Sequence, residues 1–400
     1  MPMDHAPSPP PEAAEDTEPG AGPLAGIVVV ALEQAVSAPF ATRHLGDYGA
    51  RIIKVERPDG GDFARDYDDL ASGMGAHFTW CNRNKESVAL DLASPEGRQA
   101  MAALLARADV FVQNLAPGAA ARLGLGGAEL TQRHPRLVVC EVSGYGVGGP
   151  YDARRAYDVL VQAEGAVATV TGSLDEPLKA QVPVADLATG LYALSAITTA
   201  LLHRERTGRG CVLQVSMLDT IAELMGYCTT VVRHGGTPEV RRGMSHPAIS
   251  PYDAYRAGDG RHVVVSVTND REWARLAEHL LGRPELARDP AFAKNPDRVR
   301  NRAAADALIS AALAAHTADA AIALLEAAGV PCGKVNSVAE LVDHPQLTAR
   351  GRWQQVGSPV GPIPALLPPV VSDTWAPRLD PVPALGEHTA KVLADLDDPS

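Results

Sequence analysis

The sequence predicts an α/β protein: a Rossmann-like, mostly parallel sheet in a large domain, with a smaller α+β domain inserted into it. Three observations carry this expectation. Short strand-like runs alternate with helix-like segments over the first half of the chain. Those runs are apolar at nearly every position, as strands covered on both faces are. The pattern then changes near residue 233 into a polar loop, an alternating strand and Ala-rich helices. The expected boundaries are a disordered tail at 1–22, a large domain from 23–225 and 336–400, and an insert at 226–335.

Composition bounds the function classes. Four hundred residues exceed one simple core, and 46% hydrophobic with 21% charged residues is ordinary for a globular chain. Net charge is −12, with no dense Lys/Arg run, which argues against a nucleic-acid or anionic-membrane surface. The five cysteines are widely separated, without C-x-x-C, so the expectations are a reducing cytoplasm and no cysteine-built metal site. No signal peptide or run of ~18 apolar residues is evident.

In chain order, 26–32 reads as a buried strand followed by a helix through Phe40 and Leu45. Strands are expected at 51–56, 87–92, 109–113 and 137–142. Ser94 caps a helix with Pro95 at its first position and Leu104 and Leu105 on its inner face. Gly144, Gly146 and Gly149 satisfy G-x-G-x-x-G after a strand, but Pro150 follows and no helix opens. The dinucleotide fingerprint therefore lacks its context. A helix is expected over 187–205, with Leu187, Leu191, Leu194, Ile197 and Leu201 forming its buried stripe. Further strands are expected at 211–216, 262–267 and 329–335. The Pro-rich stretch 353–383 reads as extended and wrapping, and 385–389 introduces a last short helix.

Asp186 stands where a β-branched run gives way to the 187–205 helix. Two readings fit it. Asp is a favoured N-cap. A carboxylate at a helix N-terminus is also held ionised by the unpaired N–H groups and the helix dipole, which suits a nucleophile.

Several segments, in order, are shared with a known family: 47–56, 82–92, Gln113-Asn114-Leu115-Ala116-Pro117-Gly118, Val184-Ala185-Asp186 and Thr207-Gly208-Arg209-Gly210. Over 24–400 the chain resembles the class III CoA-transferases, the CaiB/BaiF superfamily that also holds α-methylacyl-CoA racemases. The resemblance implies an α/β large domain built from both chain ends, and an interlocked homodimer. It implies Asp186 as a nucleophile that forms a mixed anhydride with an acyl-CoA donor, then an aspartyl-CoA thioester, before an incoming carboxylate takes the CoA. Acyl-CoA and a small carboxylic acid are then the partners, with coenzyme A bound as substrate and no permanent cofactor or metal. By the match, Arg57 and Arg122 are candidates for the CoA phosphates, Leu90 and Asn114 for its adenine and pantetheine, and Lys85 is a weaker candidate. Tyr145 aligns with a pocket-lining residue.

The racemases' His falls at Tyr157, and tyrosine is a poor base near neutrality, with a reference pKa of ~10. That favours transferase over racemase. Formyl-CoA:oxalate members place a glutamine at the position of Val36, with Gln34 nearby but out of register. They also carry a glycine run where this chain has Gly243-Met244-Ser245-His246-Pro247. Ser245 and His246 are candidates to contact an acceptor carboxylate, and Arg241 and Arg242 to select a second one, as in succinate, mesaconate or citramalate.

Overall fold

The structure, a computed structural model, describes residues 22–397 other than 174 and 238–240. The tail expected over 1–22 lies outside the described residues except for Gly22. One compact unit comprises the chain up to Val161, Val182–Leu224, and the chain from Arg352 onward; a second comprises Gln162–Gln181 and Met225–Gly351.

The first unit is built on a six-stranded sheet: β1 (Val28–Leu32), β2 (Arg51–Glu56), β3 (Lys85–Ala89), β4 (Val110–Gln113), β5 (Val138–Ser143) and β6 (Val212–Ser216). All pairings are parallel, in the order β3-β2-β1-β4-β5-β6. β3 begins two residues before its expected start, because Lys85 and Glu86 pair with β2 despite their charge. Side chains alternate between faces along each strand. Val29, Ala31, Val110 and Val112 pack one core with helix α1 (Ser37–Asp47) and helix α2 (Val184–Thr207). Val30, Leu32 and Phe111 pack the other with Met101, Leu104 and Leu105 of the helix Pro95–Ala106 and with Val392 near the C-terminus. Ser94 caps that helix and Pro95 is at its start, as the sequence signal demands.

The strand order reverses between β1 and β4, and in such sheets ligands bind beyond the C-terminal strand ends at this switch point. The residues leaving β1 and β4 there are Glu33 to Ser37 and Asn114.

Helix α2 departs from its expected form. It starts at Val184, and its buried face joins Ile197 and Leu201 of the expected stripe to the small residues Ala185, Thr189, Gly190, Ala193 and Ala200, with Leu194 packed against the same core. Leu191 is half exposed. The reason is close packing: a Cβ at Gly190 would lie 2.6 Å from the Ser37 carbonyl oxygen and 3.2 Å from the Phe40 ring. Only a glycine lets α2 come this near the start of α1. Among the described residues α2 is the one single helix long and apolar enough to cross a bilayer, by length and composition alone.

The Pro-rich segment does wrap, but it first forms a hairpin of β10 (Trp353–Val356) and β11 (Ile363–Leu366). It then follows the β3 edge: the Arg378 N–H donates to the Asp47 carbonyl, and the His388 N–H to that of Ser87.

The second unit carries a three-stranded antiparallel sheet of β7 (Tyr252–Arg256), β8 (His262–Ser266) and β9 (Cys332–Lys334). Its core gathers Val263, Val265, Trp273, Leu276, Ile309, Leu313 and Leu325. It runs to Gly351, beyond the expected insert end at 335, because Ser337 and Glu340 form a capping box and Glu340 pairs with Arg261. It also takes in 162–181, whose Ser173 carbonyl accepts a hydrogen bond from Arg241.

Candidate active site

The site is best built from the strained turn after β1. Ala35 adopts φ +62°, a conformation that costs a non-glycine residue about 1–2 kcal/mol. Two polar clamps hold it. Asn114, just past β4, accepts the Gln34 N–H at 2.9 Å and donates to the Gln34 carbonyl at 2.8 Å. Asp62 accepts the Ala35 N–H at 2.9 Å through Oδ1.

Asp62 is held in turn by a buried charge cluster. Its Oδ2 accepts from Lys54 Nζ at 2.8 Å, and Lys54 also donates to the Glu33 carbonyl at 3.2 Å. The Glu33 carboxylate accepts from Lys85 at 2.6 Å and from Thr42. Lys54, Lys85, Glu33 and Asp62 are all buried. Burial disfavours the Lys54 charge, but Asp62, Glu33 and Glu56 more than offset it, so its pKa is raised. Lys85 is pulled down to about 8 by burial, helped by the charge of Lys54, against the opposing pull of Glu33.

This turn delivers the buried Ser37 at the first position of α1, where its hydroxyl donates to Asp186 Oδ1. Asp186 sits in the first turn of α2, not at its cap. The capping task falls to Asp158, whose Oδ1 accepts the N–H groups of Ala185 at 2.9 Å and Asp186 at 3.3 Å. A carboxylate from a distant segment thus satisfies the helix end and releases Asp186 for another role. No basic side chain among the described residues pairs with Asp186.

Its pKa is shifted upward, against the lowering that a helix N-terminus alone would give. Burial pushes the Asp186 pKa up to about 6, the Ser37 hydrogen bond opposes this, and the Asp158 charge adds to it. The Tyr67 hydroxyl, raised by burial and by Asp62, also feels Tyr157 and Asp186. The stability consequence has a definite sign, because the folded pKa lies above the ordinary 3.8. Burying the charge carries no penalty below pH ~4, a growing one between ~4 and 6, and the full one above ~6. Asp186→Asn is therefore expected to raise the melting temperature at pH 8 and to leave it unchanged near pH 4, as calorimetry at the two pH values would read.

The other candidates fall into three groups. Asn114 and Gln34 meet at the turn before Ser37, where the Asn114 amide is committed to the Gln34 backbone. Leu90 is core, and Lys85 is enclosed in the Glu33 cluster rather than open to a phosphate. Arg57 is exposed, donating to the Gly61 carbonyl over the Phe63 ring, and Arg122 is exposed at the end of the helix Ala119–Arg122. Beside Arg122 and Leu90 in sequence, Leu123 and Leu92 line a cavity of about 200 Å³ with Arg98, Met101 and Arg133. Tyr145 packs edge-on against Tyr151 under the Arg154 guanidinium, in the Gly-rich loop that opens no helix.

Gly243, Ser245 and His246 lie in the second unit, where with Arg242, Tyr227 and Cys228 they line a cavity of about 230 Å³. Arg302 fixes this loop, donating to Ser245 Oγ at 3.1 Å and to the His246 carbonyl at 2.7 Å. His246 Nδ1 accepts the Ala248 N–H, so its neutral ring carries its proton on Nε2.

Sequence reasoning missed Ser37, Asp62 and Glu33, took Asp158 as structural, and offered Lys85 only as a weaker CoA contact. Only Ser37 had a local signal, a small hydroxyl residue at a helix start just beyond a strand.

Comparison with known proteins agrees with this architecture. Residues 24–389 match the family described as CoA-transferase family III. The chain is 34% identical to a succinate–glutarate CoA-transferase of Agrobacterium fabrum, covering 94% of this chain and 96% of that one. It is 35% identical to an acetyl-CoA:oxalate CoA-transferase of Acetobacter aceti, covering 85% and 88%. Among solved structures it superposes on a CaiB/BaiF family protein from Brucella suis with a TM-score of 0.83 and 36% identity, covering 94% of this chain and all of that one. With the parallel sheet, the turn at its switch point and the aspartate at the start of α2 in place, the chain belongs to CoA-transferase family III and is an enzyme of that class.

Proposed function

We propose that the protein transfers CoA from an acyl-CoA donor, succinyl-CoA, to a small dicarboxylic acid through covalent intermediates on Asp186. The observation that carries this reading is a mostly buried carboxylate that no basic side chain among the described residues pairs with, and whose one oxygen is held by Ser37. Such a carboxylate is poorly solvated and therefore a better nucleophile than one in water. Attack on the donor thioester gives a mixed anhydride and CoA thiolate; the thiolate returns to give aspartyl-CoA, which the acceptor carboxylate opens.

Relatives named for succinate, succinyl-CoA and glutarate support a dicarboxylic acceptor, and a cavity lined by Arg242, Ser245 and His246 has side chains able to hold a carboxylate. The relative named for oxalate keeps a shorter diacid among the acceptors to be assayed. The cavity beside Leu123, with Arg57 and Arg122, is our candidate for the nucleotide end of CoA. Half-exposed Leu191, Tyr192 and Leu202 along α2 support burial against a second copy, in line with an interlocked homodimer. Five free cysteines fit a cytoplasmic setting.

The test follows CoA transfer chromatographically from succinyl-CoA to oxalate, glutarate, mesaconate, citramalate and a monocarboxylate of matched length. Transfer to a dicarboxylate at least tenfold faster than to the monocarboxylate is expected; equal rates would overturn the dicarboxylate assignment. Turnover is further expected to fall tenfold per pH unit below ~6, as Asp186 gains its proton. A flat profile between pH 5 and 7 would contradict an ionised Asp186 as attacking group.

A further inference from the structure

We infer that Ser37 is the oxyanion donor for the two steps in which the Asp186 carbonyl carbon is itself attacked. This rests on the reading of Asp186 as the covalent nucleophile. The Ser37 hydroxyl engages Oδ1, which leaves Oδ2 as the attacking oxygen. When Oδ2 bonds to the donor acyl carbon and CoA thiolate departs, Oδ1 becomes the carbonyl oxygen of the anhydride. Thiolate sulfur then attacks Cγ, and the carbonyl electron pair moves onto Oδ1, where the Ser37 O–H receives it. Collapse breaks the Cγ–Oδ2 bond, releases the donor acid as its carboxylate, and leaves a Cγ–S thioester.

The acceptor step repeats this geometry. A carboxylate oxygen of the acceptor attacks Cγ, the negative charge returns to Oδ1, and thiolate leaves to form the second anhydride. Oδ1 therefore stays on the aspartate throughout and carries charge at both tetrahedral stages. A donor already fixed on that atom needs no rearrangement during reaction, which is what makes oxyanion donors effective.

The fold spends several devices on placing this hydroxyl. Ala35 is held in a left-handed conformation by Asp62 and its neighbour by Asn114. Lys54 fixes Asp62 at 2.8 Å. Gly190 admits the Ser37 backbone to within a distance that any Cβ would close. An incidental surface serine would have none of these supports.

The test compares wild type, Ser37→Ala and Ser37→Thr. Each is loaded with succinyl-CoA, the aspartyl-CoA adduct is isolated by rapid desalting, and its discharge by glutarate is followed by intact mass. Discharge about 100-fold slower in Ser37→Ala is expected, with Ser37→Thr within a few-fold of wild type. The acid limb of the pH profile is expected to move upward in Ser37→Ala alone, because a hydrogen bond to the carboxylate is lost. Should Ser37→Ala fail to fold, Ser37→Cys keeps the volume with a weaker donor and carries the same comparison. A wild-type adduct together with unchanged discharge in the variant lacking the hydroxyl would overturn the role of Ser37 and leave the covalent reading intact. No adduct in the wild type would overturn both.

Discussion

Replacing Asp186 by Asn is expected to lower CoA transfer by about 10⁴-fold or more, while the protein stays folded. The amide cannot attack a thioester as the carboxylate does. Asp158, whose charge acts on Asp186, has its Oδ1 already occupied by the N–H groups of Ala185 and Asp186. A stability cost does not mask the result, because capping of α2 is carried by Asp158 and removing the buried charge favours the folded state above pH ~6. The check is steady-state CoA transfer beside thermal melting of the same samples. Loss of activity with a melting temperature at or above wild type separates a chemical role from a structural one. A fold that collapsed would contradict the assignment of the cap.

The second large effect is expected far from any substrate. Lys54→Met should destabilise the protein by about 3–5 kcal/mol, because it leaves the buried Asp62 carboxylate without its cation, while Glu33 keeps Lys85. Lys54 stands between Asp62, at 2.8 Å, and Glu33, at 3.5 Å, and is fully enclosed. Its removal also frees Asp62 from the Ala35 clamp, so the strained turn before Ser37 loses its support. Chemical denaturation at pH 7 measures the first effect. At a temperature where the variant remains folded, reduced turnover with near-normal binding of the acyl-CoA would register the second. An unchanged denaturation midpoint would show that the cluster is not a coupled unit.

Most of the sheet was legible because its strands are continuous apolar runs separated by helix signals, and Ser94-Pro95 announces its helix unambiguously. β7, by contrast, is Tyr-Asp-Ala-Tyr-Arg, polar enough to read as loop until pairing with β8 gives it a partner. The α2 stripe holds at Leu194, Ile197 and Leu201 but fails at Leu191, because leucine spacing marks an apolar face without saying which surface covers it. The inner face is set by the small residues Gly190, Ala193 and Ala200, which permit close approach to α1.

The site shows the same division. Asp186 could be singled out because it stands alone at a recognisable boundary and lies in a family motif. Its separation from the capping role could not be foreseen, since Asp158 reaches it from 28 residues away. Ser37 meets Asp186 across 149 residues and Lys85 meets Glu33 across 52, contacts that no local spacing encodes. Family motifs pointed to Asn114 as a CoA contact, and in the structure its amide holds the Gln34 backbone.

Covalent chemistry at Asp186 is tested most directly by intact-protein mass spectrometry after incubation with succinyl-CoA and hydroxylamine, wild type beside Asp186→Ala. An acylated or thioesterified Asp186 should be captured as its hydroxamate, about 15 Da heavier, in the wild type alone, with peptide mapping to Asp186. An adduct that persists in Asp186→Ala, or a wild type that transfers CoA without ever becoming modified, would contradict the covalent route.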